Sequence, residues 1–320
     1  MSRFIEGRPR SLSVMIPALN AGAVIDRCLD AVLAQQVEVD FDVVVAVGPC
    51  IDDTEARVDR RAAIDVRVRR IDNPSGDTPA ALNRAIQASA GDLVVRVDAQ
   101  AELPAGYLQR VLDTSAETGA ANVGGIQRAV GDAPWSRAIA AAMRSRFGVG
   151  PAQFRSGSHQ GPTDTVYLGG FRRVALEWVG GYDESLIRNQ DYELNYRLRK
   201  AGFVVWLDPR LVVEYTPRPS LVALWSQYRQ FGKWKRIVIS RSPRSVRPRQ
   251  LAAPALVLGL IGSGIAGAFG SPAAVVLPAV YATAVVVSAV RPRGASRHRV
   301  ALAFVTMHLA WGAGFLFSWR

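Results

Sequence analysis

The last acidic residue of the chain is Glu214, and everything after it is either uncharged or basic. Residues 215–320 hold 14 Lys and Arg and no Asp or Glu. Within that third, residues 251–269, 273–290 and 300–319 carry no charge, in runs of 18 to 20 residues. At about 1.5 Å per helical residue, each run comes near the roughly 30 Å of a bilayer's hydrocarbon core. The core helix of a soluble domain is rarely so long without a charge, so three membrane spans are expected. The first run contains Pro254 and much Gly, and only Gly270-Ser271-Pro272 separates it from the second. A re-entrant hairpin of those two runs therefore stays open.

The whole-chain charge of +12 would suit nucleic acid or an anionic membrane. Its position decides between them. The first 214 residues hold 25 basic and 27 acidic side chains, a net of −2. No basic nucleic-acid-binding domain fits that balance, and the tail points to anionic membrane lipid as partner. Arg229, Lys233, Lys235, Arg236, Arg241, Arg244, Arg247 and Arg249 precede the first run, and Arg291, Arg293, Arg297 and Arg299 follow the second. Positive-inside bias then places the N-terminal domain and the 291–299 loop in the cytoplasm, with the end near Arg320 outside. The expected location is the inner (plasma) membrane, multi-pass. Residues 1–10 are polar and basic, unlike a signal peptide. Cys28 and Cys50 form neither a disulfide framework nor a zinc-ligand spacing, which agrees with a reducing compartment.

The N-terminal domain alternates strand and helix patterns. Ser11–Ile16, Phe41–Val47, Ile64–Ile71 and Leu93–Val97 are short apolar runs, the second continuous and β-branched as in a strand buried on both faces. Ala21–Gln35, Asp52–Arg61 and Thr78–Ala90 have helical spacing, the last with Pro79 in its first turn and Gly91 beyond its end. This order predicts an α/β fold, a mostly parallel sheet flanked by helices, with ligands at the carboxyl ends of the strands. No Gly-x-Gly-x-x-Gly follows the first strand and no P-loop motif occurs, which disfavours dinucleotide and P-loop enzymes.

Three places carry candidate chemistry. Asp98, in Arg-Val-Asp-Ala-Gln, ends a buried strand, where a carboxylate either caps the next turn or holds a divalent cation bridging two phosphates. Asp191 opens a helix that runs from acids (Asp191, Glu193) to bases (Arg197, Arg199, Lys200). The helix dipole explains that order, and a general base for a hydroxyl nucleophile explains it too. Gln227-Tyr228-Arg229-Gln230-Phe231-Gly232-Lys233-Trp234-Lys235 alternates aromatics with cations. It fits an interfacial helix with Trp225, Tyr228, Phe231 and Trp234 at headgroup depth, and also contact with a diphosphate or sugar. His159 lies in a polar loop. His308 lies inside the third run, where helix packing is the expected role.

Over roughly residues 11–236 these motifs together resemble the family 2 inverting glycosyltransferases of GT-A fold, closest to the succinoglycan-biosynthesis ExoA-like subgroup. Val14-Met15-Ile16-Pro17-Ala18-Leu19-Asn20 is similar to the family's opening Pro-x-x-Asn. Asp52-Asp53-Thr54 is similar to the end of its nucleotide-binding second loop. Asn73 to Asn83 is similar to the stretch before its metal strand, and Asp98-Ala99-Gln100 stands where its Asp-x-Asp stands. Gln190-Asp191 stands at its Glu-Asp, and Gln227 to Trp234 resembles its Gln-x-x-Arg-Trp. Gly169-Gly170-Phe171-Arg172-Arg173, Gly180-Gly181-Tyr182-Asp183 and Gln190–Arg197 carry the subgroup likeness. Two positions depart from the pattern. Val47-Gly48-Pro49-Cys50 lacks the Asp that reads the nucleobase in most members, and Gln100 replaces the second acid.

The resemblance implies transfer of a hexose from a nucleotide-sugar to a lipid-linked (polyprenyl phosphate or diphosphate) acceptor, in cell-envelope or exopolysaccharide biosynthesis. Asp191 would be the catalytic base. Pro17, Asn20, Asp53, Asn83 and Asp98 would seat the nucleotide-sugar. Gly169, Gly170, Gln190, Gln227, Arg229 and Trp234 would meet acceptor or diphosphate. Asp98 and Gln100 would hold Mg2+ or Mn2+. The implied organisation is a cytoplasmic GT-A domain over 1–216, a basic amphipathic interfacial segment over 217–250 and transmembrane helices over 251–320. A catalytically degenerate membrane-anchored sugar-nucleotide binder and a processive polysaccharide synthase remain as alternatives.

Overall fold

A computed structural model describes residues 3–157, 159–292 and 294–318. Arg293 and Arg320, part of the expected charge bias, lie outside the described residues, as does Ser158 of the His159 loop. In chain order the elements are β1 (Leu12–Ala18), α1 (Ile25–Leu33), β2 (Phe41–Val47), α2 (Thr54–Ile64), β3 (Val68–Asp72), α3 (Thr78–Ala88) and β4 (Leu93–Arg96). There follow α4 (Tyr107–Thr118), β5 (Asn122–Ala129), α5 (Pro134–Arg144), α6 (Arg146–Val149), α7 (Gln153–Ser156), β6 (Gly161–Pro162) and β7 (Tyr167–Arg172). The chain continues with α8 (Arg173–Val179), α9 (Gln190–Lys200), β8 (Val205–Tyr215), α10 (Leu221–Arg241), α11 (Ala252–Ala268), α12 (Val276–Val290) and α13 (Arg297–Phe317). Two compact units emerge. One comprises residues up to Gln127 with Gly157–Glu214, the other Arg128–Ser156 with the chain from Tyr215 onward.

The first unit is an α/β layer structure. Alternation along the strands sends side chains to two cores. Val14, Ile16, Val43, Val45, Leu93 and Val95 meet Cys28 and Leu29 of α1 and Leu108 and Val111 of α4 on one face. Met15, Val44, Ala46 and Val94 meet Leu82 of α3, Leu176 of α8, and Leu194 and Leu198 of α9 on the other. The sheet order is β3-β2-β1-β4-β7-β5-β8-β6. β2 pairs parallel with β3, and β1 pairs parallel with both β2 and β4. The pairs β4–β7, β5–β7 and β6–β8 are antiparallel. The sheet is thus mixed, which corrects the expectation of a mostly parallel one. β7 slots between β4 and β5, and an apolar run in sequence carries no mark of its direction. Gly169 and Gly170 let it fit. A Cβ at Gly169 would lie 2.4 Å from Asn122 Oδ1, and one at Gly170 would lie 2.3 Å from Val111 Cγ1.

The second unit is helical. Ile139 and Met143 of α5, Leu224 and Tyr228 of α10, and Ala303, Phe304 and Met307 of α13 form its core. Tyr228, expected at headgroup depth, packs inward instead, 5.5 Å from the Phe231 ring. Small residues bring backbones together, as in membrane helix pairs. A Cβ on Gly232 would sit 2.1 Å from the Trp311 carbonyl oxygen, and one on Gly314 would sit 2.0 Å from that of Arg229. His308 is a satisfied packing residue. One ring nitrogen meets the Phe147 carbonyl at 2.9 Å and the other the Tyr281 hydroxyl at 3.0 Å.

Among the described residues, two helical runs are long and apolar enough to cross a membrane: Pro272–Val290, mean hydropathy 2.2, and Arg297–Phe317, mean hydropathy 1.8. The expected first span shortens to α11, 17 residues. At about 1.5 Å per residue that is roughly 26 Å, short of the roughly 30 Å core. Its end is set by Gly270, at φ +73°, followed by Ser271-Pro272. Three full spans are therefore corrected to two candidates and one shorter apolar helix. Leu258, Ile265, Phe269, Val276, Val280 and Val286 are exposed on this part of the chain, the kind of apolar exterior that lipid covers.

Candidate active site

Parallel pairing puts the loops after β1 and β2 side by side, and polar side chains stitch them together. Asn20 Oδ1 accepts from the Ile51 amide at 2.9 Å, and the Asn20 amide donates to Cys50 Sγ at 3.3 Å. Asn20 takes a left-handed backbone, φ +50°, which Asn tolerates better than most residues. Asp52 accepts from the Gly22 amide at 2.9 Å and from the Thr54 hydroxyl at 2.5 Å. Those two bonds, the hydroxyl first, hold its carboxyl below the usual aspartate range. Ala21 donates its amide to the Thr54 hydroxyl at 2.7 Å. Asp53 pairs with Arg57 at 2.8 Å with its side chain largely exposed, and its Oδ1 lies 2.1 Å from where a Cβ on Gly22 would stand. Both carboxylates border Gly22, and Asp52 takes its amide. Pro17 sits upstream in β1, opposite Ala46.

Asn83 on α3 pins the turn before α9. It donates to the Tyr182 carbonyl at 2.9 Å and to Glu184 at 2.8 Å, and accepts from the Tyr182 amide at 2.8 Å. Gly181, at φ +70°, fits against it. Gly169 and Gly170 lie within the sheet, in β7.

At the end of β4 the chain places a buried arginine. Leu93, Val94 and Val95 are fully buried, and Arg96 follows with 9% of its side chain exposed. Its Nε and Nη2 both donate to Oδ1 of Asp98, at 2.9 and 2.8 Å. Its Nη1 bonds Oδ1 of Asp191, on the first turn of α9 and 95 residues away in sequence. The two candidate carboxylates thus share one guanidinium. The Tyr182 hydroxyl lies against the same group. Although 39% of the Asp191 side chain is exposed, lost hydration is the strongest influence on it and raises its carboxyl above the usual range; Arg96 opposes the rise. Flanked by both carboxylates, Arg96 is held well above even its ordinary range, burial notwithstanding. Behind Asp98, burial pushes the Cys28 thiol up to about 12, with help from Asp98 and Glu102.

Deeper anchors hold α9. Asn189 precedes it at φ +62°, and Gln190 is buried. Asn195 accepts from Asn122 of β5 at 2.6 Å and donates to the Thr165 hydroxyl at 3.0 Å. Arg197 donates to the carbonyls of Val179 and Gly181 at 2.5 and 2.7 Å. Gln100 is exposed, two residues beyond Asp98. Among the described residues no three His, Cys, Asp or Glu side chains cluster as a metal site.

Gln227, Arg229 and Trp234 belong to the helical unit, on α10. Gln227 donates to the Tyr215 hydroxyl at 3.0 Å, and Trp234 is half-buried. Arg96, Tyr182 and Asn195 lie inside quoted motifs, but the sequence assigns none of them a role of its own. The available signal was a cation closing an otherwise apolar, doubly buried strand.

A family model described as glycosyltransferase like family 2 matches residues 9–235. The succinoglycan biosynthesis protein ExoA of Rhizobium meliloti (strain 1021) is 33% identical over 313 residues, 96% of this chain and 93% of that protein. A Methanococcus voltae protein, dolichyl N-acetyl-alpha-D-glucosaminyl phosphate 3-beta-D-2,3-diacetamido-2,3-dideoxy-beta-D-glucuronosyltransferase, is 23% identical over 240 residues, 72% of this chain and 74% of its own. Among solved structures, the mannosyltransferase PcManGT of Pyrobaculum calidifontis, in complex with GDP-Man and Mn2+, superposes with a TM-score of 0.68. The alignment is 20% identical and covers 98% of this chain and 90% of that one, a likeness of fold.

Proposed function

This chain belongs to the family 2 glycosyltransferases, and from that premise we propose that it moves a hexose, with inversion, from a nucleotide-sugar to a lipid-linked acceptor at the cytoplasmic face of the membrane. The observation that carries the proposal is the meeting of Asp98, at a strand end, and Asp191, at a helix start, on Arg96. The acceptor hydroxyl oxygen attacks the anomeric carbon on the face away from the diphosphate. The bond from that carbon to the phosphate oxygen breaks, and the nucleoside diphosphate leaves with the electron pair. The hydroxyl proton passes to the Asp191 carboxylate. The stitched loops of Asn20, Asp52 and Asp53, with Pro17 behind them, receive the nucleoside.

Asp98 and Gln100 are oxygen donors at the donor strand, as a hard divalent cation requires. Arg96 takes only Oδ1 of Asp98, so the residues present fit a cation whose remaining ligands come from the donor's diphosphate. Mg2+ or Mn2+ held there would offset charge on the leaving diphosphate. PcManGT with GDP-Man and Mn2+ supports that choice.

The ExoA relative supports a role in polysaccharide biosynthesis, and the dolichyl phosphate in the Methanococcus enzyme's name supports a lipid-linked acceptor. The membrane location rests on the two apolar helices and the basic residues that flank them. The test incubates membranes from an overexpressing strain with labelled UDP-glucose, UDP-N-acetylglucosamine and GDP-mannose, then extracts lipid. Label should enter the lipid fraction with wild-type protein and fall about 10²–10⁴-fold with Asp191→Asn. Wild-type turnover in Asp191→Asn would refute the base assignment.

A further inference from the structure

Arg96 is an unusual tenant of its strand. It sits opposite Met15 of β1 and follows three fully buried aliphatic residues. A guanidinium so enclosed is tolerated only when paired, and apolar side chains of similar volume often serve stability as well or better. Packing alone therefore does not call for arginine there. What arginine adds is a planar fork with donors at fixed separation, a shape lysine lacks. In this chain Nε and Nη2 are on Asp98, and Nη1 is on Asp191. Both contacts fall on Oδ1 of the carboxylate. The fork thus ties the carboxylate of the donor strand to the carboxylate that opens α9. Asn195 and Arg197 also anchor α9, one turn or more further along.

We propose that Arg96 is a positioning residue whose rigid guanidinium holds Asp98 and Asp191 at one fixed spacing, so that the general base is already aimed when the donor arrives. The proposal rests on the reading of Asp191 as base. Arg96 exchanges no proton and touches no reacting atom. It acts on the rate by setting where Asp191 stands relative to the anomeric carbon. A displacement of about 1 Å of such a group is enough to cost about 10²-fold.

The experiment compares Arg96→Lys, Arg96→Gln, Asp191→Asn and Arg96→Lys/Asp191→Asn as full-length proteins, using whichever of UDP-glucose, UDP-N-acetylglucosamine or GDP-mannose the wild type transfers. Arg96→Lys and Arg96→Gln should each lower kcat by about 10²-fold. Donor KM, and the binding of UDP and GDP followed by tryptophan fluorescence, should stay within about threefold. In the Asp191→Asn background, Arg96→Lys should add less than about threefold, because residues acting as a unit are not additive. Wild-type kcat in Arg96→Lys, or the same loss with and without Asp191, overturns the proposal. So does failure of both Arg96→Lys and Arg96→Gln to melt cooperatively, which would make Arg96 a folding residue. Asp191→Asn at full turnover defeats the base assignment itself, whereas full turnover in Arg96→Lys beside an inactive Asp191→Asn defeats this proposal alone.

Discussion

In the α/β unit, arginines meet carboxylates. Arg57 bridges Asp26 and Asp53, Arg70 is ringed by Glu55, Asp59 and Asp72, and Arg96 joins Asp98 to Asp191. In the helical unit the sole acid is Asp132. There arginines turn to what remains. Arg144, Arg236 and Arg249 donate to the carbonyls of Ala129, Leu316 and Pro151, at 2.8, 2.9 and 3.1 Å, and Arg299 lies over the Trp135 ring. A carbonyl satisfies a donor without cancelling its charge. The first unit neutralises its cations internally and uses one of them to organise a site. The second keeps its positive charge uncancelled, and the partner we propose to supply the missing sign is anionic headgroups.

By that contrast, chemistry and location should come apart under mutation. The largest effect belongs to Asp191→Asn: transfer falls by about 10²–10⁴-fold while sedimentation with membranes is unchanged. Loss of membrane association in that variant would break the contrast. Next is pH. Burial raises the Asp191 carboxyl, and only the ionised form accepts a proton, so the rate should fall about tenfold per pH unit on the acid side. The fall should begin above the usual aspartate range, with a plateau at higher pH. A profile flat down to pH 4 would contradict it.

Packing effects are smaller. Gly314→Leu or Gly232→Leu forces a side chain against a backbone carbonyl, and overpacking of this kind costs about 1–3 kcal/mol. A lowered melting temperature with unchanged UDP and GDP binding would place the damage in the helical unit alone; an unchanged melting temperature would show that α10 and α13 do not touch as described. Smallest is each cation of the 241–249 segment. Replacing Arg244 or Arg247 by Gln should weaken binding to phosphatidylserine vesicles by about 1 kcal/mol apiece, and raised salt should shrink the difference. Equal binding to neutral vesicles would remove lipid charge from the account.

Much of the first unit could be read in advance. Val43–Val47 is apolar because both faces of β2 are covered, and Pro79 opens α3 for reasons local to the chain, whereas α3 ends at Ala88 and a Cβ on Gly91 would lie 2.5 Å from the Ser13 nitrogen of β1. The direction of β7 could not be read, since it depends on which gap in the sheet the run enters. Nor could the company of residues 128–156, whose alanine-rich helix α5 would suit many surfaces and packs with helices far downstream. Within the site, Asp98 and Asp191 stood out by motif. Arg96 stood in plain view beside Asp98 and meant little until a contact 95 residues distant gave it a second partner.

Because α5 belongs with α13, synthesis imposes a wait. The apolar side of α5, with Ile139 and Met143, leaves the ribosome about 165 residues before Phe304 and Met307. At roughly 5–20 residues per second, that is about 8–30 s during which α5 has no partner from its own chain on α13. The interval makes α5 a natural client for a holdase or for the insertion machinery, and it makes slowed translation of the last third a hazard felt first in the middle of the protein.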